Sequence, residues 1–342
     1  MPDVHVPPQL ALFRALRGSP LLVGVINLAP GWVKQLARDV LLRGQMDENR
    51  LSEHTLETGG RLLVPHDRYW LRYLNQLEEY EPEIRATIDR FVAPGTLFID
   101  AGANIGLWSA YACGLVGEQG RVVAIEPGAI GEVLIKNQER NGGRFDVLRK
   151  AIAEVSGQVL DFYEYANHAG SSLKGNLQSM PPVATRQVET VSLDDIVAQA
   201  VKENRDITRV VLKLDVEGFE REALAGMRRA MESHDVLIAY EDHGKDKTSE
   251  TTRHVLEQLG LYVYYPGERG GMRQIEDASE LDAIKKRHEK GYNFLACKPG
   301  GEMDRELQRQ CRETEAKQRS DWGDSLDVTR NFPTIPRFWS RS

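Results

Sequence analysis

Apolar and polar positions alternate along this chain with two different periods. From residue 97 onward, short apolar runs typical of buried strands alternate with longer segments in which apolar residues recur at helical spacing. Such alternation is typical of a parallel sheet that carries helices on both faces. The pattern therefore predicts an α/β fold with a doubly wound, mostly parallel sheet. The predicted strands are 97–101, 121–125, 145–149, 209–214 and 235–241, and the predicted helices are 105–116, 128–141, 218–231 and 250–259.

An insertion interrupts this alternation between the third and fourth strands. Residues 158–165 and 185–191 have the period-two pattern of strands, and the helix that follows begins at Ser192, with Asp195 at the third position as in a capping box. We interpret the insertion as a β-excursion at the rim of the sheet. Two further strand candidates, separated by a polar connection, are 262–265 and 293–297.

Both ends of the chain differ from the middle. Residues 1–77 mix short helical patterns, such as 32–42, with turn signals, and we interpret them as an N-terminal helical cap. Pro82 is placed to begin the last helix before the first core strand. Residues 299–342 are polar and charged, and we expect a C-terminal extension with a helix over about 302–318 and then a tail.

Composition narrows the class of protein. A length of 342 residues and an apolar content of 41% suit one large domain with a smaller appendage, and a net charge of −7 argues against a nucleic-acid or anionic-membrane binder. The early apolar run at 20–32 is too short to span a bilayer, and no cleavable signal pattern precedes it. The odd, widely spaced cysteines favour a reduced, cytoplasmic compartment. They are Cys113, Cys297 and Cys311.

The most informative motif is the strand, turn and helix at 98–106, which reads FIDAGANIG. Asp100 ends the apolar strand, where an acid is placed to bind a cationic group. Gly102 and Gly106 let the backbone turn sharply and approach a ligand closely. In an α/β fold, a turn of this kind forms one wall of a nucleotide pocket.

A second strand end strengthens this interpretation. Glu126 follows the apolar strand 121–125, about twenty residues past the glycine turn, where an acid typically binds the ribose hydroxyls of an adenosine. The dinucleotide fingerprint requires G-x-G-x-x-G, whereas this turn reads G-A-N-I-G, with Asn104 where a pyrophosphate needs close backbone access. The spacing favours an adenosine ligand without phosphates, such as S-adenosylmethionine (SAM).

Three motifs in this order resemble the FkbM-type family of class I SAM-dependent methyltransferases. They are FIDAGANIG, the IEP that follows, and LKLDVEGFE at 212–220. The resemblance covers roughly residues 78–298. It implies a Rossmann-like methyltransferase fold in which 262–265 and 293–297 form a closing antiparallel pair. It also implies transfer of the SAM methyl to a hydroxyl on a sugar or secondary metabolite.

The strand ends and the resemblance together predict a methyl-donor site. Asp100 and the glycine turn would wrap the methionine and ribose side of SAM, with backbone amides and the helix start receiving its carboxylate. Ser109, one helical turn on, would reach the same carboxylate, and Glu126 would bind the ribose. The family's pre-strand element and serine-containing loop are matched at 80–83 and 168–173. The predicted cofactor-binding residues are Glu81, Asp100, Gly102, Ala103, Asn104, Gly106, Ser109, Glu126, Pro127, Ala151, Ile152 and Ser172. For the pre-strand element, the serine loop, Ser109 and the adenine-side pair after the third strand, an ordinary structural role stays open.

A second cluster of candidate residues ends the fourth and fifth core strands. Methyl transfer from a sulfonium is an in-line displacement, so the protein must align donor and acceptor, exclude water and remove a proton from the acceptor. The acids and the histidine at these strand ends are the candidates for that base, and the histidine is the best single candidate because an imidazole titrates near neutral pH. They are Asp215, Glu217, Glu241 and His243. For the first two acids, anchoring a substrate hydroxyl, positioning the loop and capping the next helix also stay open, and for the histidine a structural role does.

The same four side chains are chemically able to bind a divalent ion. Their spacing is not that of a metal motif and the family does not require a metal, so we predict no metal site. We expect a small-molecule, glycan or peptide acceptor, no nucleic-acid partner and no membrane span, and a homo-oligomer stays open.

Three alternatives to O-methylation remain at this point. N-methylation of a peptide or amide side chain would use the same donor site. An NAD-dependent oxidoreductase would share the strand, turn and ribose acid, but the third glycine and a Tyr-x-x-x-Lys pair are missing. A non-catalytic SAM-binding protein would retain the fold alone.

Overall fold

The computed structural model describes most of the chain, which divides into two compact units. One unit comprises residues 1–52 and 65–75, and the other comprises 53–64 and 76–342. The helical pattern at 32–42 lies outside the described residues, as does the tail beyond 324. The residues described are 46–74, 76–175, 181–204, 206–243, 248–267, 271–286 and 291–324.

The described part of the predicted N-terminal cap contains strands as well as short turns of 3₁₀ helix. Strands β1 (Asp47–Thr55) and β2 (Arg61–His66) form a two-stranded sheet, and the 3₁₀ turns are Trp70–Arg72 and Leu77–Glu79. Sequence analysis missed both strands because β1 is mostly polar and β2 has too short an apolar run to display a period. The predicted domain boundaries at 77 and 298 stay predictions.

The central sheet has eight strands and confirms the predicted α/β class. Its order is β12-β11-β13-β10-β9-β3-β4-β5, with parallel pairing from β10 through β9, β3 and β4 to β5, and the predicted antiparallel pair appears as β11 with β13. Strand β12 was not predicted, because its sequence MRQI is short and half polar. The strands are β3 (Thr96–Ala101), β4 (Arg121–Ile125), β5 (Asp146–Leu148), β6 (Ala151–Ile152), β7 (Val159–Glu164), β8 (Ala184–Val191), β9 (Arg209–Leu214), β10 (Asp235–His243), β11 (Tyr262–Pro266), β12 (Met272–Ile275) and β13 (Gly291–Cys297).

Most predicted helices form, although several are shorter than predicted. The helix predicted at 250–259 forms as an α-helix over Glu250–Arg253 that continues as a π-helix over His254–Gln258. The helix before the first core strand begins at Pro82, as predicted. The Ser192 side chain accepts a hydrogen bond from the backbone N–H of Asp195, also as predicted. The predicted helix at 218–231 divides at Gly226, where an added Cβ would lie 2.7 Å from the carbonyl oxygen of Ala153. None of the described helices is long and apolar enough to cross a membrane. The helices are α1 (Pro82–Phe91), α2 (Leu107–Ala112), α3 (Gly131–Arg140), α4 (Leu193–Glu203), α5 (Glu220–Ala225), α6 (Arg228–Ser233), α7 (Glu250–Arg253), α8 (Leu281–Ile284) and α9 (Glu302–Asp324).

Both faces of the central strands are buried, so a charged side chain on either face is unusual. Successive strand residues point to opposite faces, so Ile99 of β3 and Leu212 of β9 enter the large apolar core, as does Ile238 of β10. On the other face, Asp100 lies opposite Lys213, which lies opposite Ala239. Two charged side chains thus occupy a layer in which a buried aliphatic side chain would contribute about 1.5–3 kcal/mol.

The predicted β-excursion forms a separate three-stranded sheet in the order β6-β8-β7. Strands β7 and β8 pair antiparallel, and β6 pairs parallel with β8. The loop after β7 returns to the sheet through a bridge between Tyr163 and Ser172. Ala151 packs against Phe162 and Val188, while Ile152 joins the main core. Both residues of β6 thus have apolar packing partners, and their predicted place beside the adenine stays a prediction.

Candidate functional site

The glycine turn after β3 packs directly against the end of β9. Gly102 has a φ of 81°, and a Cβ placed on it would lie 1.8 Å from the carbonyl oxygen of Asp215. The N–H of Asp215 donates to the carbonyl of Ala101 at 3.0 Å. Glycine is required here because any side chain would collide with the neighbouring backbone. The two strand ends that sequence analysis selected are therefore in contact.

The first amides of this turn donate hydrogen bonds within the protein. The N–H groups of Gly102 and Ala103 donate to the carbonyl of Ile125 at 3.0 and 2.9 Å, and that of Asn104 donates to Oε2 of Glu126 at 3.0 Å. We predicted that turn amides would receive the carboxylate of the ligand. These three are already occupied, so they lend that prediction no support.

Glu126 closes the turn from the end of β4. Its Oε1 accepts the N–H of Gly128 at 2.8 Å, and the residue is 7% exposed. Burial raises the pKa of Glu126, while the hydrogen bonds from Gly128 and Asn104 act in the opposite direction. A carboxylate oxygen can accept two hydrogen bonds, and each oxygen of Glu126 accepts one here, so both can accept a further donor. Pro127, the next residue, offers its carbonyl to Arg149 at 3.4 Å.

Ser109 holds Asp100. Its hydroxyl donates to Oδ2 of Asp100 at 2.6 Å, and both residues are buried. The hydrogen of this hydroxyl is therefore used within the protein, and its contact with a ligand carboxylate stays a prediction. The second oxygen, Oδ1 of Asp100, is buried and has no hydrogen-bond partner. Burial raises the pKa of Asp100, and nearby Lys213 opposes that shift.

Lys213 is a site residue that sequence analysis did not select. Its Nζ donates to Oδ2 of Asp215 at 3.1 Å, and its side chain is 7% exposed. Oδ1 of Asp215 is buried without a partner, as is Oδ1 of Asp100. A lysine inside the apolar strand sequence VVLKL was the signal available, because the alternation of β9 directs its side chain into a buried layer.

Glu81 joins this group from the residue before α1. It is half-buried, and the indole N–H of Trp108 donates to its Oε2 at 2.9 Å. Burial raises the pKa of Glu81 to about 7, with Lys213 lowering it and Asp215 raising it. The predicted pre-strand element therefore lies beside the two strand ends. Trp108 was not predicted, since its sequence position in α2 gives no sign of this contact.

Three of the four predicted catalytic residues come together. Carboxylate oxygens of Asp215, Glu217 and Glu241 all lie within 4.8 Å of one another. Burial raises the pKa of Glu241 well above its usual value, and the charges of Asp215 and Glu217 add to the shift. His243 ends β10 two residues past Glu241, about 7 Å further along the same face of the strand. Acidic groups at this spacing are common without a metal, so the absence of a metal site stays a prediction.

Backbone strain gathers at the same place. Glu81, Asn104 and Glu217 have φ values of 47°, 54° and 50°, in the left-handed region that non-glycine residues rarely adopt. Each such residue costs on the order of 1 kcal/mol, and strain of this kind clusters at functional sites. One further example in the described chain, Ser249, lies after β10.

The loop after β7 contacts both turns of the site. The Oγ–H of Ser172 donates to the carbonyl of Glu217 at 2.6 Å, and the side-chain amide of Asn104 lies 3.0 Å from Nδ1 of His168. Ser172 is fully buried, so its hydroxyl supports the backbone after β9. The loop connects the glycine turn to the acid cluster, a role that the local sequence did not indicate for His168.

Comparison with protein-family models identifies the family of this chain. The model of the methyltransferase FkbM domain matches residues 100–294, which is more than half of the chain and includes every strand end described above. The chain belongs to the FkbM methyltransferase family. This FkbM-family protein is a SAM-dependent methyltransferase, and SAM is its methyl donor. A search of curated protein sequences gave no match.

Several solved structures are similar to this FkbM-family chain at low identity. A SAM-dependent methyltransferase from Aquifex aeolicus has 12% identity over 66% of this chain and 95% of its own, with a TM-score of 0.36. A SAM-dependent O-methyltransferase from Thermotoga maritima has 14% identity over 72% and 77%, with a TM-score of 0.35. Aeropyrum pernix fibrillarin, solved with SAM bound, has 11% identity over 74% and 99%, with a TM-score of 0.32. These values are too low to indicate an acceptor.

Proposed function

We propose that the protein methylates a hydroxyl oxygen of a sugar or secondary metabolite. The observation that carries the proposal is the group of three carboxylates, from Asp215, Glu217 and Glu241, within 4.8 Å at the carboxyl ends of β9 and β10. In parallel α/β sheets this edge is where ligands bind. The acids lie beside the glycine turn, so an acceptor that contacts them is also adjacent to the donor.

The residues present fit a donor that carries positive charge. SAM supplies a methyl group on a sulfonium, and its amino group adds a second cation. The unpaired buried oxygens of Asp100 and Asp215 are suited to accept hydrogen bonds from that amino group. The remaining capacity of Glu126 suits the ribose hydroxyls. The excursion loop, held to both turns through Ser172 and His168, would exclude water.

The chemistry of the acid cluster favours oxygen as the acceptor atom. A hydroxyl oxygen keeps a free lone pair and needs its proton removed as the new bond forms, a task for a carboxylate with a raised pKa. An amide nitrogen has its lone pair delocalised into the carbonyl and needs a stronger activator. Glu241 is our first candidate for the base because burial, together with the charges of Asp215 and Glu217, raises its pKa. His243 is the second.

A labelled product tests the proposal directly. The purified protein is incubated with SAM carrying a ¹³C methyl group and a panel of sugars, phenols and peptides, and the ¹³C shift of the product distinguishes an O-methyl from an N-methyl group. We expect O-methyl products that are lost in Glu241→Gln. N-methyl products from the peptides would contradict O-methylation while leaving the donor site intact.

A further inference from the structure

Lys213 places a positive charge at a buried position of β9. Its neighbours in β9, Leu212 and Leu214, are fully buried, and its own side chain is 7% exposed. Removing an ammonium from water to this extent costs several kcal/mol unless carboxylates compensate. An apolar side chain at this position would avoid that cost.

Carboxylates from three different elements surround this ammonium. Asp215 accepts from Nζ at 3.1 Å, Asp100 is the register partner on β3, and Glu81 lies before α1. Burial lowers the pKa of Lys213, but these three acids outweigh it and the pKa lies above its usual value. A lysine held protonated in this way is not a general base. It is a fixed cation with hydrogens to donate.

The two strand-end acids are held in the same manner. Ser109 holds Asp100 by Oδ2 and Lys213 holds Asp215 by Oδ2, while Oδ1 of each acid is buried without a partner. Buried acceptors without a partner are rare in folded proteins, so a pair of them at adjacent strand ends calls for a donor from outside the chain.

We propose that Lys213 is a positioning residue for the methyl donor. By holding Oδ2 of Asp215 and offsetting the charge of Asp100, it leaves one oxygen of each carboxylate available to the donor's amino group. The inference rests on the donor-holding half of the proposed function and is independent of the acceptor.

Two ligands that differ in the amino acid test this role. S-adenosylhomocysteine carries the amino group, whereas 5′-methylthioadenosine has the adenosine and thioether without it. In calorimetric titrations, Lys213→Met should bind S-adenosylhomocysteine about tenfold or more weakly and 5′-methylthioadenosine within about twofold of the wild type. Lys213→Arg, which keeps the charge and the donor, should restore most of the lost affinity.

A second buried lysine provides the matched control. Lys285 is 5% exposed and pairs with Asp242 at 2.6 Å. Lys285→Met should lower the unfolding midpoint while leaving the affinity ratio of the two ligands unchanged. If Lys213→Met weakens both ligands equally, or tightens S-adenosylhomocysteine by removing a repelling cation, the proposal is wrong. If that variant does not fold, Lys213→Gln takes its place. Failure of the wild type to bind S-adenosylhomocysteine would overturn the donor assignment as well.

Discussion

Two lysine–aspartate pairs, each with a buried lysine, lie near the carboxyl ends of neighbouring strands, and they differ in how many hydrogen bonds the aspartate accepts. Asp242 at the end of β10 uses both oxygens, one for Lys285 at 2.6 Å and one for the backbone and hydroxyl of Thr252. Asp215 after β9 uses Oδ2 for Lys213 and leaves Oδ1 unpaired. Both oxygens of Asp242 are hydrogen-bonded, as expected of a structural contact. Asp215 keeps one oxygen without a partner, as expected of a residue that binds a ligand.

The two pairs also lie on opposite faces of the sheet. Asp242 follows Tyr240 on the face that holds the main apolar core, whereas Glu241, between them, shares a face with the acid cluster. A buried ion pair adds little to stability when complete, yet removing one partner leaves a strongly unfavourable charge. The two lysines are about equally buried, whereas the Asp215 side chain is 23% exposed and that of Asp242 is 1% exposed, so hydrogen bonding and exposure of the aspartate both separate the two roles.

The largest effect is expected where the complete pair is broken. Asp242→Ala leaves Lys285 charged, buried and without its carboxylate, so we expect a loss of about 3–5 kcal/mol in the free energy of unfolding, measured with urea. The affinity of the folded fraction for S-adenosylhomocysteine should stay within about twofold of wild type. A loss below about 1 kcal/mol would show that this pair is not a structural contact.

Glu126 tests whether a carboxylate that already accepts hydrogen bonds from the backbone also binds a ligand. Glu126→Ala removes acceptors for the ribose hydroxyls, and we expect S-adenosylhomocysteine to bind about a hundredfold more weakly in calorimetry, since hydrogen bonds to a charged group contribute about 1.5–3 kcal/mol each. Glu126→Gln, which keeps one oxygen, should fall between. Unchanged affinity in both variants would exclude Glu126 from the donor site.

The stability of the fold should also depend on pH through Glu81, which lies near Lys213 and Asp215. Because the pKa of Glu81 in the folded protein is raised to about 7, ionisation destabilises the fold as pH rises from about 4.5 to about 7. Glu81→Gln should therefore gain stability relative to wild type over that window, by about 1–2 kcal/mol once partial exposure is considered, and match it below pH 4. Denaturant titrations at several pH values measure the difference. A constant difference across pH would contradict the shift.

The smallest effect concerns strain. Glu217 has a left-handed φ of 50°, which glycine adopts without cost, so Glu217→Gly should stabilise the fold by up to about 1 kcal/mol while lowering methyl transfer. Glu217→Ala, which keeps the strain and removes the carboxylate, is the control and should lower transfer without the gain. Equal stability of the two variants would indicate that the conformation at 217 carries little strain.

Features encoded by adjacent residues were predictable, whereas contacts between distant elements were not. The glycine turn, Glu126 and the acids after β9 and β10 follow from short local patterns, and so do the strands that carry them. The bonds of Ser109 to Asp100 and of Trp108 to Glu81 depend on how α2 is rotated against its neighbours, and the approach of Lys213 to Asp100 depends on strand register. No single segment specifies either. The short polar strand β12 lacked any periodic signal.

The hydrogen bond from Ser172 to the carbonyl of Glu217 has a consequence for changing the acceptor range by loop exchange. The excursion loop is an attractive segment to graft from a relative, because it lies at the rim of the site. A graft without a hydroxyl at 172 would free the backbone that presents the acids. Chimeras that keep Ser172 should therefore retain turnover more often than equally long chimeras that lose it.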